Sequence, residues 1–470
     1  MLSKNCFKFS LLALGLALLS PKLVAQSSQQ RPSYIQGPFF NHQESQSYTD
    51  PYRGIHRQGS DLEAHLLSAI ESAQKTIDVA VQEIRLPLIA KALVRKHQAG
   101  VRVRIVLENQ YNFSIAEIDE DSTSRERGYT GDRLKEYLRF VDMNGDGTLS
   151  PYEISQRDAI AILHSGGVPI IDDTADGSLG SALMHHKFIV VDAKHLVLTS
   201  ANFTMSDIHG DYSSQVSRGN ANALLKFEHP SIVENFQREF DILWGSPETQ
   251  NHSKSSRPRF GMSKPYRGAQ RISLSPNSVV SIQFSPTPRH LGFDASTSGL
   301  INRTLKRSQS SVNLALFVFS EQRFADTLDD LRKRFPLKIQ VLAEPTFAFQ
   351  WYSELLDILG LKLYGPNCME DQGNRVWSPP LDTVGVPTLA KGDFLHHKFA
   401  VIDSRITIFG SQNWSSAANS NNDENLLVIE DAAVAQGFEE EFARLKRNAQ
   451  LGASESLLRK VEEKRQSCEN

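Results

Sequence analysis

The sequence predicts an α/β protein built from two tandem domains related by internal duplication. Three observations lead there. One eight-residue stretch occurs twice, as H-H-K-F-I-V-V-D at His185 to Asp192 and H-H-K-F-A-V-I-D at His396 to Asp403. Helical and strand-like hydrophobic patterns alternate in the same order ahead of each copy. A chain of 470 residues is also too long for one ordinary core, which argues for at least two domains.

In the first half a helix near Leu62 to Ala73 leads into a strand at Thr76 to Val81. Leu86, Ile89, Ala90, Leu93 and Val94 then share one face of a helix with Pro87 in its first turn and Gly100 at its end. A buried strand, Val101 to Leu107, follows. The second half repeats this order: a helix near Leu300 to Lys306, a strand at Val312 to Phe319, a helix carrying Phe324, Leu328 and Leu331, and a strand at Leu337 to Leu342. Each half closes on an amphipathic helix. Ile232, Val233, Phe236 and Phe240 stripe the first, around Pro230 to Leu243, and Val434, Phe438 and Phe442 the second, around Ala432 to Arg447. The boundaries drawn are a signal segment at 1–25, an irregular arm at 26–58, a first domain at 59–245, a basic linker at 246–275, a second domain at 276–447 and a charged tail at 448–470.

The halves differ in length. From Ile77 to His185 is 108 positions, against 84 from Val312 to His396. The surplus is an insertion at about 130–160, and Asp142 to Glu153 within it matches the calcium-loop pattern D-x-[DN]-x-[DN]-G-x5-E. Asp142, Asn144, Asp146, Thr148 (through its backbone), Ser150 and Glu153 occupy the ligand positions, and Gly147 the sharp turn. Leu134, Tyr137, Leu138 and Val141 share a face of the entering helix, and Pro151 and Glu153 begin an exit helix that runs on through Ile160 and Leu163. An EF-hand-like insertion that binds Ca2+ is the expectation.

Hydrophobic residues at 40% and charged residues at 22% are those of a globular protein, and a net charge of -3 gives no global field for nucleic acid. Lys4 and Lys8 ahead of the apolar run Leu11 to Leu19, with Leu23-Val24-Ala25 as a cleavage point, predict a secretory signal peptide and a secreted or periplasmic protein. The run is shorter than the ~20 residues of a spanning helix. No transmembrane segment is expected in the mature chain. After cleavage Cys368 and Cys468 remain, and an exported compartment permits their pairing without requiring it. Lys254, Arg257, Arg259, Lys264, Arg267 and Arg271 make the linker basic. It reads equally as a phosphate-tracking strip or as a solvated connector.

In each copy of the repeated stretch the first His and the Lys are two residues apart, so their side chains leave one face of a strand and reach one site. Six residues after each Asp comes a polar turn, T-S-A-N at Thr199 to Asn202 and G-S-Q-N at Gly410 to Asn413. This spacing resembles the motif of the phospholipase D superfamily, whose members set two copies against each other to make one active site. The resemblance implies two tandem phospholipase D-like α-β-α sandwich domains, a monomer with both half-sites in one chain, and catalysis without a cofactor.

It also implies roles. One of His185 and His396 attacks phosphorus and the other protonates the leaving oxygen, with His185 favoured as nucleophile. A pKa near 6.5 suits histidine to either task. Lys187, Lys398, Asn202 and Asn413 cradle the phosphoryl oxygens, Ser200 and Ser411 contact substrate, and Asp192 and Asp403 support the motif geometry. Members also carry a carboxylate about ten residues after the Asn, orienting a catalytic His. Glu424 matches it, whereas Asn222 stands at the corresponding place in the first copy and Thr199 replaces Gly410. His186 and His397 leave the opposite face and read as packing or supporting residues. The leading expectation is an exported phosphodiesterase that hydrolyses phospholipid, with peripheral membrane contact. The alternatives are an extracytoplasmic nuclease using the same site and a scaffold whose site has decayed.

Overall fold

The computed structural model describes residues 34–118, 131–245, 257–371 and 373–469. The signal segment, the start of the arm and Lys254 lie outside them. Two sheets form the framework. The first has the strand order Ile35–Phe40, Ala223–Phe227, His195–Thr199, Lys187–Val191, Thr76–Val81, Arg102–Leu107, Ile170–Asp172. The second runs Gln270–Ser275, Ser278–Ser285, Glu424–Glu430, Ile406–Gly410, Lys398–Ile402, Ser311–Leu316, Lys338–Ala343, Val384–Val386, Gln450–Leu451. In both, the strand that begins at the motif Lys is central and antiparallel to the first strand of its β/α unit, Lys187 pairing with Val81 and Lys398 with Leu316.

Alternation along the strands makes the layers. Ile77, Val79, Val81 and Ile105 face an outer core shared with the helices Leu62–Ser72 and Pro87–Gln98, while Ala80, Val106, Phe188 and Val190 face inward. The inward residues of both sheets join one continuous core with the closing helices Pro230–Trp244 and Ala432–Lys446. A third core lies under the outer helices Thr297–Leu305 and Gln322–Arg334 of the second half. The two halves therefore pack as α-β-α sandwiches that share their inner helical layer.

The element pattern read from the sequence agrees with the observed strands and helices to within three residues, apart from the linker's end, which is the strand Gln270–Ser275, and three other places. Ile35–Phe40 of the arm is an edge strand paired with Ala223–Phe227, and Ser47–Thr49 pairs with His56–Gln58. Gly37 and Pro38 interrupt that segment, so no period showed. The tail is also built in. Gln450–Leu451 pairs with Val384–Val386, the helix Glu455–Glu469 buries Leu457, and Cys468 is disulfide-bonded to Cys368. Last, the helix Pro151–Arg157 does not run on through Leu163. Asp158 ends it and caps a new helix, Ala159–Ser165, by accepting from the N–H groups of Ile160 and Ala161.

Asp192 and Asp403 sit at the far end of the motif strands, about 17 Å from Lys187 and Lys398 at a strand rise of about 3.3 Å per residue. Each opens a hairpin turn with left-handed backbone, φ 51 at Asp192 and 52 at Asp403. The Asp192 carboxylate accepts from the N–H groups of Gln74, Lys75 and Thr76 (2.6 to 2.8 Å), and Asp403 from those of Gln309, Ser310 and Ser311 (2.8 to 2.9 Å). They hold the entry of the neighbouring strand and stand outside the chemistry. Asp403→Ala should therefore lower unfolding stability by about 2 kcal/mol, the range of charged hydrogen bonds to backbone, as read by urea denaturation at neutral pH. An unchanged midpoint would mean that those N–H groups do not depend on it.

Candidate active site

The two motif strands start at one place because the halves cross-pair there. Met184 bridges Asp423 and Ala221 bridges Leu395, both in parallel sense. The N–H of His185 donates to the carbonyl of Asp423 (3.0 Å), and the N–H of Ala221 to that of Phe394 (2.7 Å). Each half thus lays the start of its last central strand beside the other half's catalytic-candidate His.

The consequence is a crossed pair of contacts. His185 Nδ1 lies 2.7 Å from Glu424 Oε2, and His396 Nδ1 lies 3.0 Å from Asn222 Oδ1. Both acceptors are buried. Each Nδ1 donates, so each Nε2 is left for the cleft. Lys187 Nζ donates to His185 O (2.8 Å) and Gln82 Oε1 (3.2 Å), and Lys398 Nζ to His396 O (2.7 Å). Where Gln82 stands in the first half, the second has Phe317, whose ring packs edge-on against His396 at 4.9 Å and beneath Lys398 Nζ at 4.9 Å. Asn202 and Asn413 are half-buried, and among the described residues their amide side chains make no hydrogen bond within the chain.

Ser200 and Ser411 are placed otherwise than expected. Both are fully buried, and their hydroxyls donate to Asn222 Oδ1 and Glu424 Oε2, each at 2.7 Å. They brace the groups that hold the histidines and do not line the cleft. His186 and His397, on the opposite strand face, meet Glu239 Oε1 (3.2 Å) and Glu441 Oε1 (2.9 Å). These two acids were missed, yet a repeated F-x-x-E-F, Phe236 to Phe240 and Phe438 to Phe442, marks them.

Beyond Arg259 the linker runs along the surface with its cations paired to acids of the chain, and its end, Gln270–Ser275, is the edge strand of the second sheet. Lys264 is buried between Glu239 (2.5 Å) and Asp423 (2.7 Å), Arg267 pairs with Glu239, and Arg271 reaches Glu430 at 2.6 Å. Lys264 and Arg267 neutralise Glu239, the acid behind His186, and Lys264 fastens Asp423, whose carbonyl holds the His185 backbone.

Burial weakens proton binding at every basic group of the cleft. Burial takes His185 down to about 4, with Lys187 and Lys398 adding to the effect against Glu424. Burial and then the two lysines hold His396 well below the usual range. Lys187 falls to about 8 by burial, and burial and Lys187 together push Lys398 far down. Burial would raise Glu424, but the neighbouring His185 and Lys187 outweigh it and keep the carboxylate ionised. An anion beside them would raise the proton affinity of His185, His396, Lys187 and Lys398.

The 142–153 loop lies between the helices Asp132–Val141 and Pro151–Arg157. Its donor types suit calcium. Its carboxylates, however, are turned onto the loop's own N–H groups: Asp142 onto Gly145 and Gly147, Asp146 onto Thr148, Glu153 onto Met143, Asn144 and Ser150. Among the described residues no three acidic, His or Cys side chains converge as metal ligands. Among them, too, no helix is long and apolar enough to cross a membrane.

A family profile described as cardiolipin synthase, PLD-like domain, matches residues 66–244 and 301–446. The chain belongs to that PLD-like family. The two matched segments are the two halves of the fold, and each contributes one His to the cleft. The mouse mitochondrial cardiolipin hydrolase is 28% identical over 163 residues, covering 34% of this chain and 63% of that one. A phospholipase D of Rickettsia conorii is 24% identical over 36% of this chain and 69% of its own. The chain spans about half to just under two thirds of the length of the mouse, Xenopus laevis, dog and human cardiolipin hydrolases. The phosphatidylserine synthase of Haemophilus influenzae shares the PLD-like fold across 92% of this chain and 93% of its own, with a TM-score of 0.55 at 10% identity.

His185 binds its proton less tightly in the folded chain, at about 4, than an unfolded histidine does near 6.5. The unfolded state takes up more protons between those values, so the folded state is fully favoured above pH 6.5 and loses ground as pH falls toward 4. Stability at pH 5 should be about 2 kcal/mol below that at pH 7 from this group alone, with His396 adding in the same direction. His185→Gln should flatten that slope in urea titrations, and an unaltered slope would refute the assignment.

Proposed function

We propose that the protein is a phosphodiester hydrolase of phospholipase D type that works through a phosphohistidine. The observation that carries the reading is the crossed pair, His185 on Glu424 and His396 on Asn222, beside Lys187 and Lys398. His185, backed by a carboxylate, is the stronger base and presents its Nε2 lone pair to phosphorus. The N–P bond forms as the P–O bond to the leaving alcohol breaks, and that oxygen takes the Nε2 proton of protonated His396. Asn222, a neutral acceptor, leaves His396 the better acid of the two. Water then attacks the phosphohistidine, His396 takes its proton, and the N–P bond breaks. Lys187, Lys398, Asn202 and Asn413 hold the phosphoryl oxygens throughout.

The substrate we propose is a phospholipid, cleaved to phosphatidic acid and head group by an exported enzyme that contacts the membrane peripherally. The names of the mouse and Rickettsia relatives support it. So does the pairing of Lys264, Arg267 and Arg271, three of the six linker cations, with acids of the chain itself, which shortens the strip that favoured a polyanion. Purified protein in EDTA should release choline from labelled phosphatidylcholine and leave plasmid DNA intact. The reverse result would make it a nuclease, and turnover of neither a scaffold.

The two histidines separate by leaving group. With a p-nitrophenyl phosphodiester, which needs no acid, His396→Ala should give a burst of about one equivalent of p-nitrophenol and then stall as phosphohistidine, while His185→Ala gives none. Equal behaviour of the two variants would refute the division.

We further propose that the 142–153 loop takes calcium, supported by its residue pattern and its flanking helices. Glu153 must then exchange its caps on Met143, Asn144 and Ser150 for the ion, so binding should be weak. Glu153→Gln should lower calcium affinity at least tenfold by calorimetry. An unchanged isotherm would remove the loop from consideration.

A further inference from the structure

The first half has no carboxylate where the second has Glu424, because Asn222 occupies the place. We propose that Asp207 is the positioning residue that supplies the absent negative charge to His396, beside and through Asn222. Its kinetic consequence rests on the phosphodiesterase reading, whereas its effect on the imidazole does not.

Asp207 lies in the turn of helix Met205–Ile208 that follows Asn202, with Thr204 as its cap. The residue is 3% exposed. Asp207 Oδ1 stands 3.6 Å from His396 Nδ1, accepts from Asn220 Nδ2 (2.6 Å) and lies 3.5 Å from Asn222 Nδ2. Oδ2 accepts from the N–H of Asn202 (2.8 Å), and the Asp207 carbonyl takes a second bond from Asn222 Nδ2 (3.0 Å). Asn222 is clamped by these contacts with its NH2 toward Asp207 and its carbonyl toward His396 and Ser200. The Asn41 side chain closes the ring by accepting from Asn222 N–H (2.9 Å) and donating to Asn220 O (2.7 Å).

The two halves exchange positions for this charge. Ser200 corresponds to Ser411 and Asn202 to Asn413, so Asp207 corresponds to Ala418. Thr204 caps the N–H of Asp207 as Ser415 caps that of Ala418. One half therefore has Glu at 424 and Ala at 418, the other Asn at 222 and Asp at 207. The sum of charge is equal and its distance from the imidazole differs. Around His396 stand Lys398 and Lys187, the imidazoles of His185 and His397, and the uncharged ring of Phe317. Against those cations Asp207 sets an anion just beyond hydrogen-bond reach. It can favour the protonated acid without taking the Nδ1 proton from Asn222, and so without turning His396 into a second nucleophile.

The test moves the charge. In the full chain labelled at histidine 13Cε1, with the His396 signal assigned by its loss in His396→Ala, Asp207→Asn should make His396 titrate about one pH unit lower, the low end for an opposite charge at this range. Adding Asn222→Asp should return the titration to the wild-type value or above. In turnover, the basic limb of the kcat/KM profile should move down by the same amount in Asp207→Asn, with kcat falling and KM held, and the double variant should reverse it. If Asp207→Asn does not fold, the double variant alone decides, since His396 in it must titrate no lower than in wild type. Unchanged titration in Asp207→Asn, or no recovery when the charge is moved, overturns the proposal. Because the titration needs no substrate, a chain that hydrolyses nothing would sink the enzymatic reading and leave this result standing by itself.

Discussion

Everything in the cleft depends on the backbone cross-pairing of Met184 with Asp423 and Ala221 with Leu395. Those bridges bring Glu424 of one half to His185 of the other, and Asn222 to His396. Neither half has a complete site. A histidine buried beside two lysines needs an acceptor fixed at Nδ1 to keep one tautomer, and only the partner half provides it. The duplication is therefore a functional requirement of this geometry as well as a record of how the chain is built.

Support for the cleft runs outward in matched layers. Behind each histidine strand a closing helix puts forward an acid, Glu239 or Glu441, that holds the second His of the motif. Those acids are buried and must be neutralised. Lys264 and Arg267 do this for the first and Arg444 for the second. Lys264 thus fastens one half to the other, and with Arg267 it is spent inside the fold. At the strands' far ends Asp192 and Asp403 fix the register of the neighbouring strand, so the motif's three residue types serve two different ends of one strand.

The symmetry is broken where chemistry asks for it. Gln82 faces Phe317, Asn222 faces Glu424, and Asp207 faces Ala418. With identical surroundings the imidazoles would have equal proton affinities and compete for one role. Their surroundings place a carboxylate in contact with His185 and an amide in contact with His396, and that difference is what the proposed division into base and acid rests on.

Much of this was legible in the chain. The period of the apolar residues marked nearly every helix and strand, because an amphipathic face depends only on local spacing. The doubled motif named the histidines, lysines and asparagines, and the offset between halves exposed both the insertion and the odd Asn222. Composition hid the arm strand, whose pattern Gly37 and Pro38 interrupt, and the fate of the basic linker, since a run of cations reads alike whether solvated or buried against acids. Which carboxylate meets which histidine was likewise out of reach. His185 and Glu424 are 239 residues apart, and Asp207 reaches His396 from a turn that no motif marks. Local periodicity is written in neighbouring residues, but a contact between halves is set by how two sheets pack, and only the folded chain decides that.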